Sequence, residues 1–163
     1  MRGLVMQLYI MRHGEAHHQG ASDATRELTP FGVSEVVDIA KILKDYRFDL
    51  IIVSPFERAQ QTAKVLVDEL KLETLVEESD LITPTGSAAQ VHDYIDGLLA
   101  TSTYDSILLI SHMPLVSFLL AELTIGGHMP IFQTSGVAKV DYDIETMKGE
   151  FIEMLCPFDV CDI

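Results

Sequence analysis

Three short apolar runs in this chain each stop at polar, reactive side chains, and that repetition limits what it can fold into. Leu8-Tyr9-Ile10-Met11 runs into Arg12-His13-Gly14, Leu50-Ile51-Ile52-Val53 into Ser54-Pro55 and Arg58, and Ile107-Leu108-Leu109-Ile110 into Ser111-His112. Unbroken apolar runs rich in β-branched residues read as strands buried on both faces. Helical patterns lie between them. Thr29-Pro30 supplies an N-cap and a first helical residue, followed by Val33, Val36, Val37, Ala40 and Leu43 on one face of a 3.6-residue period. Ser54-Pro55-Phe56-Glu57 has capping-box spacing ahead of Ala59, Thr62, Ala63, Leu66 and Leu70, and Ser87 precedes Ala88, Val91, Ile95, Leu98 and Leu99. Thr74 to Val76 reads as a further strand, and Pro114 opens an apolar helix from Leu115 to Leu123 that Gly126-Gly127 ends. Val137 to Tyr142 and Phe151 to Leu155 read as a hairpin around Lys148-Gly149. Strand alternating with helix predicts an α/β fold: a three-layer αβα sandwich, its sheet mostly parallel with an antiparallel edge hairpin.

A chain of 163 residues suits a single domain, 1–163, with 1–5 as a dispensable leader ahead of Met6. The formal net charge of −14 argues against nucleic acid, whose phosphates demand a basic surface. The apolar stretches are too short to span a bilayer, so no membrane association is expected. No secretory signal pattern is visible, which gives a cytoplasmic expectation. Cys156 and Cys161 cannot complete a tetrahedral metal site by themselves and read as two reduced thiols.

In open α/β sheets ligands sit beyond the carboxyl ends of the strands. If the three runs are neighbours, Arg12, His13, Arg58 and His112 converge there. Two guanidiniums in one place demand an anion, and their fork geometry suits phosphate oxygens. Arg58 falls in the first turn of its helix, where a cation is unfavourable unless an anion is near. A histidine held in one tautomer can attack phosphorus, and a second can stabilise an equatorial oxygen. The amides at the start of the Pro114 helix are further candidate donors. His13 and His17 flank Glu15, a spacing also open to a metal, but without the helical context such a site needs. Of the other histidines, His18, His92 and His128 read as solvent-facing or core-edge residues.

The ordered set Met11-Arg12-His13-Gly14-Glu15-Ala16, Leu28-Thr29-Pro30-Phe31-Gly32, Ser54-Pro55-Phe56-Glu57-Arg58-Ala59-Gln60-Gln61-Thr62 and Ser111-His112 resembles the signature blocks of the histidine phosphatase (phosphoglycerate mutase-like) superfamily. The length, with the blocks Ile107 to Leu119 and Pro130 to Ala138, most resembles the small SixA-type phosphohistidine phosphatases of bacteria. The likeness runs from Met6 to about Pro157. It implies His13 as the phosphorylated nucleophile, with Arg12, Arg58 and His112 forming the phosphate pocket. It also implies a phosphohistidine intermediate hydrolysed by water, no metal and no cofactor. Arg26, Ser22 and Met113 are candidate substrate contacts. The expected substrate is a His-phosphorylated protein, such as a histidine phosphotransfer domain of a sensor kinase or phosphorelay.

The chain departs from many superfamily members at the leaving group. Asp80 is the candidate general acid by chain position, with Glu78 behind it, but neither lies in a clear motif. An imidazole leaving group, with a pKa of about 6.5, needs far less protonation than an alkoxide. The alternatives are a small-molecule phosphomonoesterase or mutase using the same nucleophile, and a non-enzymatic phosphoprotein binder, which has no need of an intact nucleophile beside two arginines.

Overall fold

The computed structural model describes residues 5–157. The elements, in chain order, are β1 (Val5–Arg12), α1 (Pro30–Ile42), β2 (Leu50–Val53), α2 (Glu57–Leu70), β3 (Leu75–Glu78), α3 (Ala88–Thr101), β4 (Ser106–Ser111), α4 (Leu115–Leu123), β5 (Val137–Asp143) and β6 (Lys148–Leu155), with short 3-10 turns at Asp23–Thr25 and Asp80–Ile82. The strands form one six-stranded sheet in the order β3-β2-β4-β1-β5-β6. β1 pairs parallel with β4, and β2 parallel with β4 and β3, while β5 runs antiparallel to both β1 and β6. Residues 1–4 of the expected leader lie outside the described residues; Val5 already pairs with Asp143 in the sheet.

Alternate side chains of the central strands feed two separate cores. Leu8, Ile10, Leu50, Ile52, Ile107 and Leu109 pack with Val91, Ile95 and Leu99 of α3 and with the apolar residues of α4. Tyr9, Met11, Ile51, Val53, Leu108 and Ile110 pack with Val36, Ile39 and Ala40 of α1 and with Ala59, Ala63 and Leu66 of α2. Two helices on each face give the expected three layers, and burial on both faces is why these strands carry apolar residues without alternation. Among the described residues, no helix is long and apolar enough to cross a membrane.

Thr29 and Ser87 cap α1 and α3 as expected, accepting from Gly32 N and Gln90 N. The inward face of α1 differs. Glu35, Val36, Ile39, Ala40 and Leu43 are buried, whereas Val33 is exposed and Val37 half-buried. A buried glutamate displaced an apolar stripe because Glu35 has its own partners inside. The capping box at Ser54 does not form. Phe56 is the N-cap of α2, without a side-chain cap bond, and Ser54 is bonded to His112 instead. The hairpin turn lies between Asp143 and Lys148, where Met147 has φ 58°, so Lys148-Gly149 opens β6 rather than making the turn. A Cβ on Gly149 would stand 2.6 Å from Val140 Cγ1, so its glycine serves close packing. The reading of Cys156 and Cys161 as two reduced thiols depends on Cys161, which lies outside the described residues; Cys156 itself is buried just after β6.

The segment after β1 packs on the start of α1 with no room for side chains. A Cβ on Gly32 would lie 2.0 Å from Glu15 O, whereas one on Gly97 in α3 would meet nothing within 4 Å. Gly32→Ala is therefore expected to destabilise the protein by about 2–3 kcal/mol by forcing a backbone shift. Gly97→Ala is expected to stabilise it by about 0.5–1 kcal/mol by removing unfolded-state freedom. Urea denaturation checks both, and equal effects of the two substitutions would contradict the packing described.

Candidate active site

The carboxyl ends of β2, β4 and β1 lie side by side in the sheet. Register then carries the site forward by one residue: His13 N donates to Ser111 O and Ser54 N to Ile110 O, at 3.0 and 3.1 Å. His13 and His112 thus come next to each other, with ring centroids 5.0 Å apart.

Two contacts fix the tautomer of His13. Nδ1 stands 2.7 Å from Gly14 O, and a carbonyl only accepts, so Nδ1 carries the proton. Arg58 Nε donates to His13 Nε2 at 3.2 Å, and a guanidinium only donates, so Nε2 presents its lone pair. Gly14 is held in turn by its amide, which donates to Thr62 Oγ1 at 3.0 Å, while Thr62 Oγ1 donates to Arg58 O at 2.8 Å. A Cβ on Gly14 would lie 2.9 Å from Gly32 O and 3.2 Å from Ser135 Oγ. Close approach, not an unusual φ, is what requires glycine here.

Arg58 is 3% exposed, and each of its Nη atoms gives one hydrogen bond to Asp23. Nη1 bonds the Asp23 carbonyl at 2.7 Å and Nη2 the carboxylate at 3.3 Å. The same carboxylate takes Arg26 Nε at 2.9 Å, and Arg26 Nη1 bonds His17 O. Burial alone would raise the Asp23 carboxyl; the Arg58 charge, with hydrogen bonds from Arg58 and Arg26, outweighs it and holds the pKa below the usual value. Arg12 donates through Nη1 to Phe132 O at 2.7 Å. Behind it, Glu35 accepts from Glu15 N at 2.8 Å and from Thr134 Oγ1 at 2.7 Å, and burial raises its pKa.

His112 Nε2 lies 2.7 Å from Ser54 Oγ, and Ser54 Oγ accepts from Phe56 N at 3.2 Å. Burial pushes His13 down to about 4, the Arg58 and Arg12 charges adding to it. Burial, then the neighbouring His13 and Arg58, push His112 down to about 3. Both rings are therefore neutral at ordinary pH. Among the described residues, four buried side-chain polar atoms lack a partner: Arg12 Nε, His112 Nδ1, Ser135 Oγ and, at the far end of β1, Gln7 Oε1. Three of the four belong to residues around His13, since Ser135 N also donates to His13 O at 3.0 Å.

Arg12, His13, Arg58 and His112 are brought together as the sequence predicted. Arg26 joins them through Asp23. The Ser22 hydroxyl pairs with Thr25 Oγ1 at 3.2 Å in the 3-10 turn, and Ser22 lines a surface cavity with Asp23 and Arg26. Met113 is half-buried and packs on the α3–α4 core. Asp80 is exposed at the start of its 3-10 turn, which Ser111 Oγ ties to the end of β4 by donating to Ile82 O. Glu78 Oε1 accepts from Gln60 Nε2 at 3.4 Å. Of the first amides of α4, Val116 N bonds His112 O, and Ser117 N and Phe118 N bond Pro114 O, so these three are not spare donors. Among the described residues, no group of three His, Cys, Asp or Glu side chains is placed to hold a metal ion. Asp23, Glu35, Ser54, Thr62 and Ser135 were given no role in the site by the sequence. Ser54 carried a signal in its place at the end of a buried strand, for which the capping box offered a rival use, and Thr62 in closing the block that holds Arg58.

Comparison with known proteins places the chain in a family. The profile of the histidine phosphatase superfamily (branch 1) matches residues 8–82. The phosphohistidine phosphatase SixA of Escherichia coli (strain K12) is 40% identical over 154 residues, covering 93% of this chain and 94% of that one. The SixA homolog of Haemophilus influenzae is 36% identical over 148 residues, 85% of this chain and 89% of its own. The structure of the protein histidine phosphatase SixA complexed with tungstate superposes with a TM-score of 0.88 at 40% identity, over 93% of this chain and 97% of that one. With its strand ends, arginines and paired histidines in place, the chain belongs to the histidine phosphatase superfamily, among its SixA-type phosphohistidine phosphatases.

Proposed function

We propose that this chain is a phosphohistidine phosphatase that dephosphorylates a His-phosphorylated protein through a phosphorylated His13. One observation carries the reading: buried polar nitrogens without partners, Arg12 Nε and His112 Nδ1, lie around a histidine whose unprotonated Nε2 is engaged only by the Arg58 Nε–H, a bond that an incoming phosphoryl group can replace. Native structures leave few buried polar atoms unpaired, and a cluster of donors beside a nucleophile suits an oxyanion. The SixA relative with tungstate, a phosphate-like oxyanion, supports the same assignment.

In the first step Nε2 of His13 bonds to phosphorus as the substrate's N–P bond breaks, and the departing imidazole takes a proton from solvent or an acid. Asp80 remains the candidate acid, and the low basicity of an imidazole makes its help dispensable. Arg12 and Arg58 bind the equatorial oxygens. Ser54, whose oxygen already accepts the Phe56 amide, donates to His112 Nε2, which leaves His112 Nδ1–H to donate to the phosphoryl group. Nδ1–H of His13 stays on Gly14 O and stabilises the phosphorylated ring. In the second step water attacks phosphorus, phosphate leaves, and Nε2 is restored. Arg26 reaches the phosphate only through Asp23. The proposed substrate is a cytoplasmic histidine phosphotransfer domain of a sensor kinase or phosphorelay.

Wild-type protein mixed with such a phosphorylated domain should release phosphate and carry acid-labile phosphate on His13. His13→Asn should lower turnover at least about 10³-fold. The domain should be hydrolysed with a higher kcat/KM than a panel of phosphate esters; faster turnover of the esters would favour the small-molecule phosphomonoesterase or mutase instead.

The neutral histidines also leave a stability signature. His13 and His112 are held at about 4 and about 3 in the folded state, against 6.5 unfolded. As pH falls below 6.5 the unfolded chain takes protons that the folded one refuses, so stability drops towards pH 4. Replacing His112 with Asn should make the decline of Tm between pH 6.5 and 4 shallower. An unchanged slope would show that His112 titrates normally in the folded protein.

A further inference from the structure

Asp23 stands where a phosphoryl oxygen would compete with it. Arg58 gives Asp23 two of its hydrogen bonds, from Nη1 to the carbonyl and from Nη2 to the carboxylate, at 2.7 and 3.3 Å, and the third goes to His13 Nε2. The Arg58 side chain is 4% exposed while that of Asp23 is 58% exposed, so the carboxylate covers the solvent side of a buried cation. Its position is fixed independently of Arg58. Arg26 Nε holds the other carboxylate oxygen at 2.9 Å, and Thr25 closes the turn, its Oγ1 accepting from Ser22 N and donating to Ser22 O at 2.9 and 3.1 Å.

We infer that Asp23 is a positioning residue acting through Arg58: it holds the guanidinium against His13 in the empty site and competes with bound phosphate for it, so that inorganic phosphate is released readily after hydrolysis. The inference rests on the proposed reading of His13 and Arg58 as the phosphoryl site. A dianion gripped by two guanidiniums in a poorly solvated pocket binds tightly, and tight binding of the last product slows every later turnover. A fixed carboxylate on the same guanidinium repels that dianion. The same repulsion acts on a substrate's phosphoryl group, but a protein substrate has contacts elsewhere to offset it, and free phosphate has none.

Calorimetric titration with inorganic phosphate, at low ionic strength, tests this without any turnover. Asp23→Asn keeps the backbone carbonyl contact to Nη1 and removes only the charge. It should bind phosphate about 5–10-fold more tightly than wild type, the gap narrowing as salt is added. Asp23→Ser should behave likewise, and Asp23→Glu should return close to wild type. Product inhibition of turnover by phosphate should tighten in parallel. Equal or weaker phosphate binding by Asp23→Asn and Asp23→Ser would overturn the inference, since a residue that only positions Arg58 would loosen the anion when lost. Absence of phosphate on His13 in the wild type would instead defeat the phosphatase reading, and the two failures are told apart by their separate readouts.

Discussion

The hydrogen bond from His13 Nδ1 to the carbonyl of Gly14, at 2.7 Å, sets the chemistry of the rest. A neutral imidazole has one nitrogen with a proton and one with a lone pair, and which is which decides whether it is a nucleophile towards the pocket. The carbonyl can accept only if the backbone at Gly14 turns back under the ring. That path exists because Gly32 lets the segment lie against the start of α1, where a Cβ would stand 2.0 Å from Glu15 O. Thr62 then locks the Gly14 amide to α2, the helix that also delivers Arg58. Nucleophile and cation are thus referenced to one backbone turn.

The second constraint is burial of charge. Burial disfavours the charged form of both arginines, and each arginine disfavours protonation of the histidines. Carboxylates relieve this only at the edges: Glu35 acts on Arg12 from one side, and Asp23 pairs with Arg58 from the other. Placed closer, they would neutralise the site outright; absent, they would leave buried cations uncompensated. A chain of net charge −14 therefore keeps a phosphate-binding pocket with one carboxylate, Asp23, at its solvent side and another, Glu35, buried behind Arg12.

Much of this was legible in the sequence because buried parallel strands write themselves plainly. Leu50 to Val53 and Ile107 to Ile110 have no polar interruption, so Ser54 and His112 could only fall at strand ends. Thr29-Pro30 fixed the start of α1 by local chemistry alone. What escaped depends on contacts between distant segments. Glu35 looks like a solvent residue on a helix until Thr134, far along the chain, meets it. Thr62 looks like a small core residue until Gly14 N finds it. Ser54 satisfied a capping pattern that the fold rejected because His112 made a stronger claim on its hydroxyl. Asp23 sat in a polar loop whose path no periodicity encodes.

Everything turns on His13 resting as a neutral imidazole, protonated on Nδ1 and unprotonated on Nε2, where it accepts from Arg58. Long-range ¹H–¹⁵N correlation spectra of ring-labelled protein at neutral pH test it directly, with His13→Gln supplying the assignment. A pyridine-like Nε2 and a pyrrole-like Nδ1 are expected for His13. The opposite tautomer, or two equivalent nitrogens of an imidazolium, would contradict it.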